Sequence, residues 1–332
     1  MKFLVIRFSS IGDIVLTSAA IRCLKLQVHK AEVHFLSKLA FKPVTEANPY
    51  IDKFFYLNNN LATIITELKK EHYDYIIDLH SNFRTLKIKL LLGCKHLTYD
   101  KETFSKFLLT KFSINTMRGR HITDRCLDIL APFGVVNDGK GLDYFIADKD
   151  VVPITDLPAQ HRFGFIAIVI GASYFTKKLP VQKIQALCMG IAYPIVLIGG
   201  KEDKEVGNQI ASVDAMKIYN ACGKFNLNES ADLVRQAKVV ISHDTGLQYI
   251  ACAFNKKVLA IWGGTSPKLD VEPYYGSNNY LPANPMYQNY IVPDLPCQPC
   301  SNFGTTTCPK KHFKCMMLQD VEAIAAKALS MI

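Results

Sequence analysis

Lys2-Phe3-Leu4-Val5-Ile6-Arg7-Phe8, followed by Ser9-Ser10-Ile11-Gly12-Asp13 and then Ile14-Val15-Leu16, decides the fold class. Five of the first seven residues after Met1 are apolar, which suits a strand covered on both faces. Ser-Ser-Ile-Gly reads as a turn with one residue free to take positive φ. From Ile14 the apolar spacing turns helical, through Leu16, Ala19, Ala20, Cys23 and Leu24. Strand, polar turn and helix in that order open a parallel α/β sheet. Asp13 then sits between the end of the strand and the start of the helix, in the crevice where open α/β sheets bind ligands. It either caps the helix or serves as a general base.

The same alternation repeats outward. Val33–Leu36, Asp52–Leu57 and Tyr73–Leu79 read as strands, with a helix from Leu61 to Lys70 behind the Asn58-Asn59-Asn60 turn. His80-Ser81-Asn82-Phe83-Arg84-Thr85 leaves the fourth strand at its carboxyl end, either as a plain connection or as a second wall beside Asp13. A basic segment follows. Between Arg84 and Arg125 there are ten Lys/Arg and three Asp/Glu. Phe104 to Phe112 is amphipathic, and Arg118-Gly119-Arg120-His121 is a compact cationic loop. The segment is a solvated basic face or a patch for phosphate or carboxylate.

Asp148 to Arg162 carries two prolines and no periodicity, and reads as an interdomain linker. A second α/β series begins at Phe165. Strands at Phe165–Ile170, Pro194–Ile198, Lys217–Tyr219, Lys238–Ser242 and Lys257–Trp262 alternate with helices. Four strand ends carry small or hydroxyl residues: Gly171-Ala172-Ser173, Gly199-Gly200, His243-Asp244-Thr245-Gly246-Leu247 and Gly263-Gly264-Thr265-Ser266. No G-x-G-x-x-G is present, which argues against a dinucleotide oxidoreductase. Backbone N–H groups at such helix starts hold a pyrophosphate. Lys177 adds a point charge, and Glu202 or Asp203 suits a ribose hydroxyl.

The chain has 332 residues, 49% hydrophobic and 20% charged, with net charge +10. That length accommodates two domains. No apolar run reaches transmembrane length and the start is not a secretory signal, so a cytosolic chain is expected. The charge calls for an anionic partner, and no nucleic-acid motif accompanies it. Six of the ten cysteines are scattered in apolar segments. Cys297, Cys300, Cys308 and Cys315, with His312 between, are either packing thiols or a structural zinc set. Gln319 to Met331 reads as a final helix.

Several stretches together resemble the bacterial heptosyltransferase family, glycosyltransferase family nine. Arg7 to Val15 is similar to the family's opening, and Asp78 to Arg84 to its second signature. Gly171-Ala172-Ser173 with Lys177 and Pro180 resembles its phosphate loop. Ser242 to Leu247 resembles its most specific motif, and Gly263 to Pro267 the loop after it. The cysteine pattern also resembles a segment of many members. Two residues after Leu247 the family commonly has His; this chain has Tyr249.

The resemblance implies a GT-B architecture, two Rossmann-like domains with parallel sheets facing across a cleft. Residues 1–155 would bind the acceptor and 156–316 the nucleotide-sugar donor, with 317–332 as a helix packing back on the first domain. It implies inverting, metal-independent transfer of a heptose from ADP-heptose to a lipopolysaccharide core or related glycolipid. No cofactor is implied beyond the donor substrate. Asp13 would be the base. Ser173, Lys177, Glu202, Asp244, Thr245, Gly246 and Leu247 would bind the donor. Ser10, Gly12, Asn82, Arg84, Arg118, Arg120 and His121 would bind the acceptor. A monomer is expected, peripherally associated with the inner membrane, where the basic segment meets an anionic acceptor. The alternative is a nucleotide-sugar-binding protein of the same fold without activity, a reading prompted by Tyr249.

Overall fold

The expected first strand is β1 (Lys2–Ile6). Phe3, Leu4, Val5 and Ile6 are all buried, and each such side chain contributes about 1.5–3 kcal/mol of burial free energy. The computed structural model describes residues 1–279 and 285–332. After β1 come α1 (Ile11–Leu16), α2 (Ser18–Gln27), β2 (Glu32–Lys38), α3 (Lys42–Thr45), β3 (Lys53–Leu57) and α4 (Leu61–Lys69). Then follow β4 (Tyr75–Asp78), α5 (Phe83–Leu92), β5 (Lys95–Thr98), α6 (Thr103–Phe112) and α7 (Ile122–Asp128). The five strands are parallel, in the order β3-β2-β1-β4-β5. The sheet changes its winding sense between β1 and β4, so the loops carrying Asp13 and Asn82 leave that switch point side by side.

The second half contains β6 (Ile166–Val169), α8 (Val181–Gly190), β7 (Ile195–Ile198), α9 (Lys204–Ala211), β8 (Ile218–Asn220) and α10 (Leu227–Gln236). It continues with β9 (Val239–His243), α11 (Gly246–Ala253), β10 (Lys257–Ile261), β11 (Tyr287–Tyr290), α12 (Lys314–Met317) and α13 (Val321–Ser330). Six parallel strands run β11-β10-β9-β6-β7-β8, with the switch between β6 and β9. The architecture is the expected pair of doubly wound sheets.

Two strands lie outside the expected set. β5 and β11 are edge strands with mostly exposed or half-buried side chains, so they lack the apolar run that marks a central strand. The proline-rich connection is also tied down more firmly than a bare linker. Val152 N–H donates to Asp232 Oδ2 at 2.9 Å, and the Asn226 and Asn228 amides donate to Asp150 at 3.1 and 3.2 Å.

The final helix corrects one expectation. α13 does not return to the first domain; it packs on α8, burying Ile324, Ala325 and Ala328 in the core of the second half. Gln319 explains why. Its buried amide donates to Trp262 O at 3.1 Å and Cys315 O at 2.9 Å, which pins the start of the helix at the end of β10. Lys257 Nζ then holds the far end through Met331 O at 2.7 Å.

The halves touch through α1 and α11. A Cβ on Gly12 would lie 2.8 Å from the Tyr249 ring, and one on Gly246 would lie 2.5 Å from Ile11. Both contacts are closer than a side chain tolerates.

Candidate active site

The wall formed by the first half is built on Arg7, the one charged residue between Phe3 and Phe8. Its guanidinium is buried and fully engaged. It donates to Ser9 O at 3.1 Å, to Tyr99 Oη at 3.1 Å and to Leu79 O. Its remaining nitrogen, Nη2, lies 2.7 Å from Asp13 Oδ1. The other carboxylate oxygen accepts from Ser10 N at 3.0 Å and Ser10 Oγ at 2.8 Å. Burial by itself would raise the Asp13 pKa, but the Arg7 charge and the two Ser10 donors outweigh it and hold the pKa below the ordinary value. Asp13 is therefore ionised, fixed in direction, and still 28% exposed. Ser10 and Asp13 also close a capping box on α1, so the capping role is real and coexists with exposure to the crevice.

The facing wall is built on Asp244, at the end of β9. Its Oδ2 lies 2.7 Å from Lys177 Nζ and accepts from Thr265 Oγ1 at 2.9 Å. Lys177 also donates to Asp244 O at 3.1 Å. Thr245 stands at the N-cap of α11, and Gly246 and Leu247 form its first turn. His243 fixes the neighbouring loop, its Nε2 accepting from Leu179 N–H at 3.0 Å; burial pulls its pKa down to about 4 and it stays neutral. The Thr176 carbonyl accepts from Gly264 N–H at 2.8 Å, and Thr176 Oγ1 accepts from Thr305 N–H at 2.7 Å. The C-terminal segment thus braces the loop that presents Lys177. Ser173 and Glu202 are exposed on the same edge of the sheet. Asp203, the alternative to Glu202, is engaged in the fold: it is buried and paired with Lys178 at 2.7 Å.

Tyr249 stands between the two walls. It is buried, its ring lies over Gly12, and its hydroxyl donates to Val271 O at 2.7 Å and reaches Asp244 Oδ1 at 3.3 Å. In place of the family's His, this chain has a strut joining α1, the Asp244 turn and the loop after β10.

The expected acceptor residues divide. Ser10 and Gly12 lie beside Asp13. Arg84 is exposed, while the Asn82 side chain caps α5 through Arg84 N–H and Thr85 N–H. Arg118 is exposed and 3.1 Å from Asp100. Arg120 and His121 are engaged in the fold. Arg120 grips Asp128 through two nitrogens at 3.1 and 2.7 Å. His121 caps α7, bonds Glu272 O at 3.0 Å and stacks on Tyr274, and burial holds its pKa near about 4.

Other cations approach Asp13 more closely in charge terms. Burial lowers the Lys106 pKa to about 8, helped by Arg125 and opposed by Asp13 and Glu102. Lys101 is lowered by burial and by Arg7. Arg125 is buried and pairs with Glu102 at 2.7 Å, while its Nε and Nη2 have no partner among the described residues. Arg7 carried a signal in the sequence, because a cation inside an apolar strand needs a buried anion. Lys106 and Arg125 carried none, since helix periodicity does not say which lysine faces a cleft.

The four late cysteines do not assemble at mutual ligand distances. Among the described residues the one set of three ligand groups close enough for a single ion is Glu32, His34 and Glu71. Lys2 Nζ, 3.1 and 3.2 Å from those carboxylates, occupies it as a counter-ion. Cys300 rests on Gly264 O and Cys297 lies 3.7 Å from His312 Nε2. Burial raises the Cys315 thiol to about 12.

Two facing doubly wound domains, with an ionised carboxylate on one and an anion-suited helix start on the other, make up the GT-B architecture. Residues 61–307 match the profile of glycosyltransferase family 9 (heptosyltransferase), and the chain belongs to that family. It is 23% identical to lipopolysaccharide heptosyltransferase 1 of Campylobacter coli, covering 80% of this chain and 84% of that one. It is 22% identical to lipooligosaccharide heptosyltransferase 2 of Haemophilus influenzae, covering 81% and 85%. Among solved structures, E. coli ADP-heptose LPS heptosyltransferase II superposes with TM-score 0.69 at 16% identity, covering 98% and 100%. E. coli heptosyltransferase WaaC with ADP gives 0.68 at 18% identity, covering 100% of both.

Proposed function

We propose that the chain transfers a heptose from ADP-heptose to a sugar of a lipopolysaccharide core, with inversion and without a metal. The observation that carries this reading is the partly exposed Asp13 carboxylate held ionised by Arg7, in a chain of the heptosyltransferase family. The relatives' names supply the donor and acceptor classes.

In this reading the acceptor hydroxyl displaces the Ser10 hydroxyl from Asp13 Oδ2. Asp13 takes its proton as the oxygen attacks the anomeric carbon from the side opposite the diphosphate. The bond to the diphosphate breaks, and its charge develops beside Lys177 and the N–H groups at the start of α11, with Ser173, Thr245, Gly246 and Leu247 around it. Glu202 meets the ribose, and Asp244 orients Lys177. Lys101, Lys106 and Arg125 take the acidic groups of the acceptor, with Arg84 and Arg118 at the outer edge. The acceptor is a glycolipid reached from the inner membrane surface.

A purified-enzyme assay tests the reading. ADP-heptose, UDP-glucose and GDP-mannose are compared with a core-type lipid acceptor, with and without EDTA, and the product anomer is read by NMR. Turnover with ADP-heptose alone, insensitive to EDTA and inverted, is expected. Turnover with another donor only, retention, or loss in EDTA overturns it.

A further inference from the structure

Tyr249 has one hydroxyl hydrogen and two acceptors. Its oxygen lies 2.7 Å from Val271 O and 3.3 Å from Asp244 Oδ1. A phenol donates a single hydrogen bond, and the shorter distance places that hydrogen on Val271 O. Burial, then the charges of Asp244 and Asp13, hold the phenol pKa well above its ordinary value, so the hydrogen is always present. Asp244 Oδ1 accepts no other hydrogen bond among the described residues. The carboxylate is supported on its Oδ2 side, by Lys177 at 2.7 Å and Thr265 Oγ1 at 2.9 Å. A nearly buried carboxylate that loses such a partner must find another donor.

The two acceptors belong to different parts of the molecule. Asp244 orients Lys177 in the second half. Val271 lies in the loop after β10, and its neighbours are fastened to the first half on both flanks. Asp270 O accepts from Ile122 N–H, at the start of α7, at 3.0 Å. Glu272 O bonds His121 Nε2 at 3.0 Å, and Tyr274 Oη donates to Asp124 at 2.6 Å. The same helix carries Arg125, two of whose donors have no partner among the described residues. The Tyr249 hydroxyl therefore ties this loop to the donor motif at Val271, between its ties to α7. One hydrogen with two acceptors has two discrete arrangements, which is what coupling between two sites requires.

We propose that Tyr249 is a positioning residue whose hydroxyl turns from Val271 O to Asp244 Oδ1 when a nucleoside diphosphate draws Lys177 away, so that donor binding loosens the loop joining the second half to α7. The step is a rotation of one O–H bond, and no proton changes owner. In the empty enzyme Lys177 satisfies Asp244 and the hydroxyl holds the loop. With the diphosphate bound, Lys177 turns to the ligand, and the hydroxyl replaces it on the carboxylate through a charge-assisted hydrogen bond. The proposal deepens the transferase reading and rests on it for what draws Lys177 away.

Amide hydrogen exchange of the full chain, with and without saturating ADP, tests it. ADP should slow exchange at the start of α11. It should speed exchange about fivefold at Ile122 and across residues 268–276, the effect of losing one net hydrogen bond. Tyr249→Phe keeps the ring over Gly12 and removes the hydrogen. Its loop should exchange at the faster rate with or without ADP, and ADP should bind about fivefold more weakly by calorimetry. Lys177→Met should show the faster loop exchange with no ligand at all, because the hydroxyl already serves Asp244. A parent loop that ADP leaves unchanged or slows overturns the proposal. So does a Lys177→Met loop that exchanges like the parent's, or a Tyr249→Phe variant that binds ADP as the parent does. Absence of ADP binding to the parent would sink the donor reading instead; the Lys177→Met comparison needs no ligand and then decides the hydroxyl's role by itself.

Discussion

The two halves of the cleft contain the same device turned inside out. Each places a cation and a carboxylate 2.7 Å apart where its sheet changes winding sense. In the first half the cation is the inner member: Arg7 is 6% exposed and Asp13 28%. In the second half the carboxylate is the inner member: Asp244 is 10% exposed and Lys177 15%. What faces the cleft is thus a carboxylate on one side and an ammonium beside a helix start on the other. The first arrangement suits taking a proton, and the second suits holding phosphate. The clear exposure difference lies in the first half; in the second both partners are nearly covered and the anion-suited element is the helix start beside them.

That contrast can be broken most directly at Asp13. Asp13→Asn keeps an oxygen for Arg7 but loses the base and the counter-charge, so turnover should fall about 10²–10⁴-fold with ADP affinity near the parent's and the thermal midpoint lowered. Near-normal turnover would remove Asp13 from the chemistry. The corresponding change in the other half, Lys177→Met, should leave proton transfer alone and weaken ADP binding about tenfold to a hundredfold, read by calorimetry. Turnover at saturating donor should fall as well, because the charge on the leaving diphosphate develops beside Lys177; unchanged affinity with unchanged turnover would remove Lys177 from the donor wall.

A smaller effect separates the walls by pH. Lys106, facing Arg125, Glu102, Asp13 and Arg7, loses its charge as the pH rises through about 8. Acceptor KM should therefore climb several-fold above that pH, and the Lys106→Met variant should show a flat, raised KM. A climb that survives in the variant assigns it elsewhere. Asp13 should add no acid limb near neutrality, since its pKa is lowered. Its pairing with Arg7 contributes to stability throughout the range above the ordinary aspartate value, and that contribution is lost only as the pH falls through the lowered one.

Central strands were legible in the sequence because burial on both faces writes an unbroken apolar run, as in Phe3–Ile6 and Ile195–Ile198. Edge strands β5 and β11 were not, because half of their surface meets water. The motifs at the strand ends singled out Asp13, Lys177 and Asp244, and the fold pairs the last two with each other and Asp13 with Arg7. They could not show that His121 caps a helix or that Arg125 keeps two donors free, because those facts depend on how distant segments meet. The final helix was legible as a helix, but its apolar face fits either half. The Gln319 and Lys257 anchors at its two ends decide between them.

Gly12 and Gly246 have a further consequence. With no side chain at either position, α1 and α11 close until each main chain meets a side chain of the other, Gly12 the Tyr249 ring and Gly246 the Ile11 side chain. A tolerance set that way rests on the sizes of Tyr249 and Ile11 and of no other pair of side chains. Asp13 and the start of α11 keep a common zero for as long as those two side chains are kept, whatever changes elsewhere around the cleft.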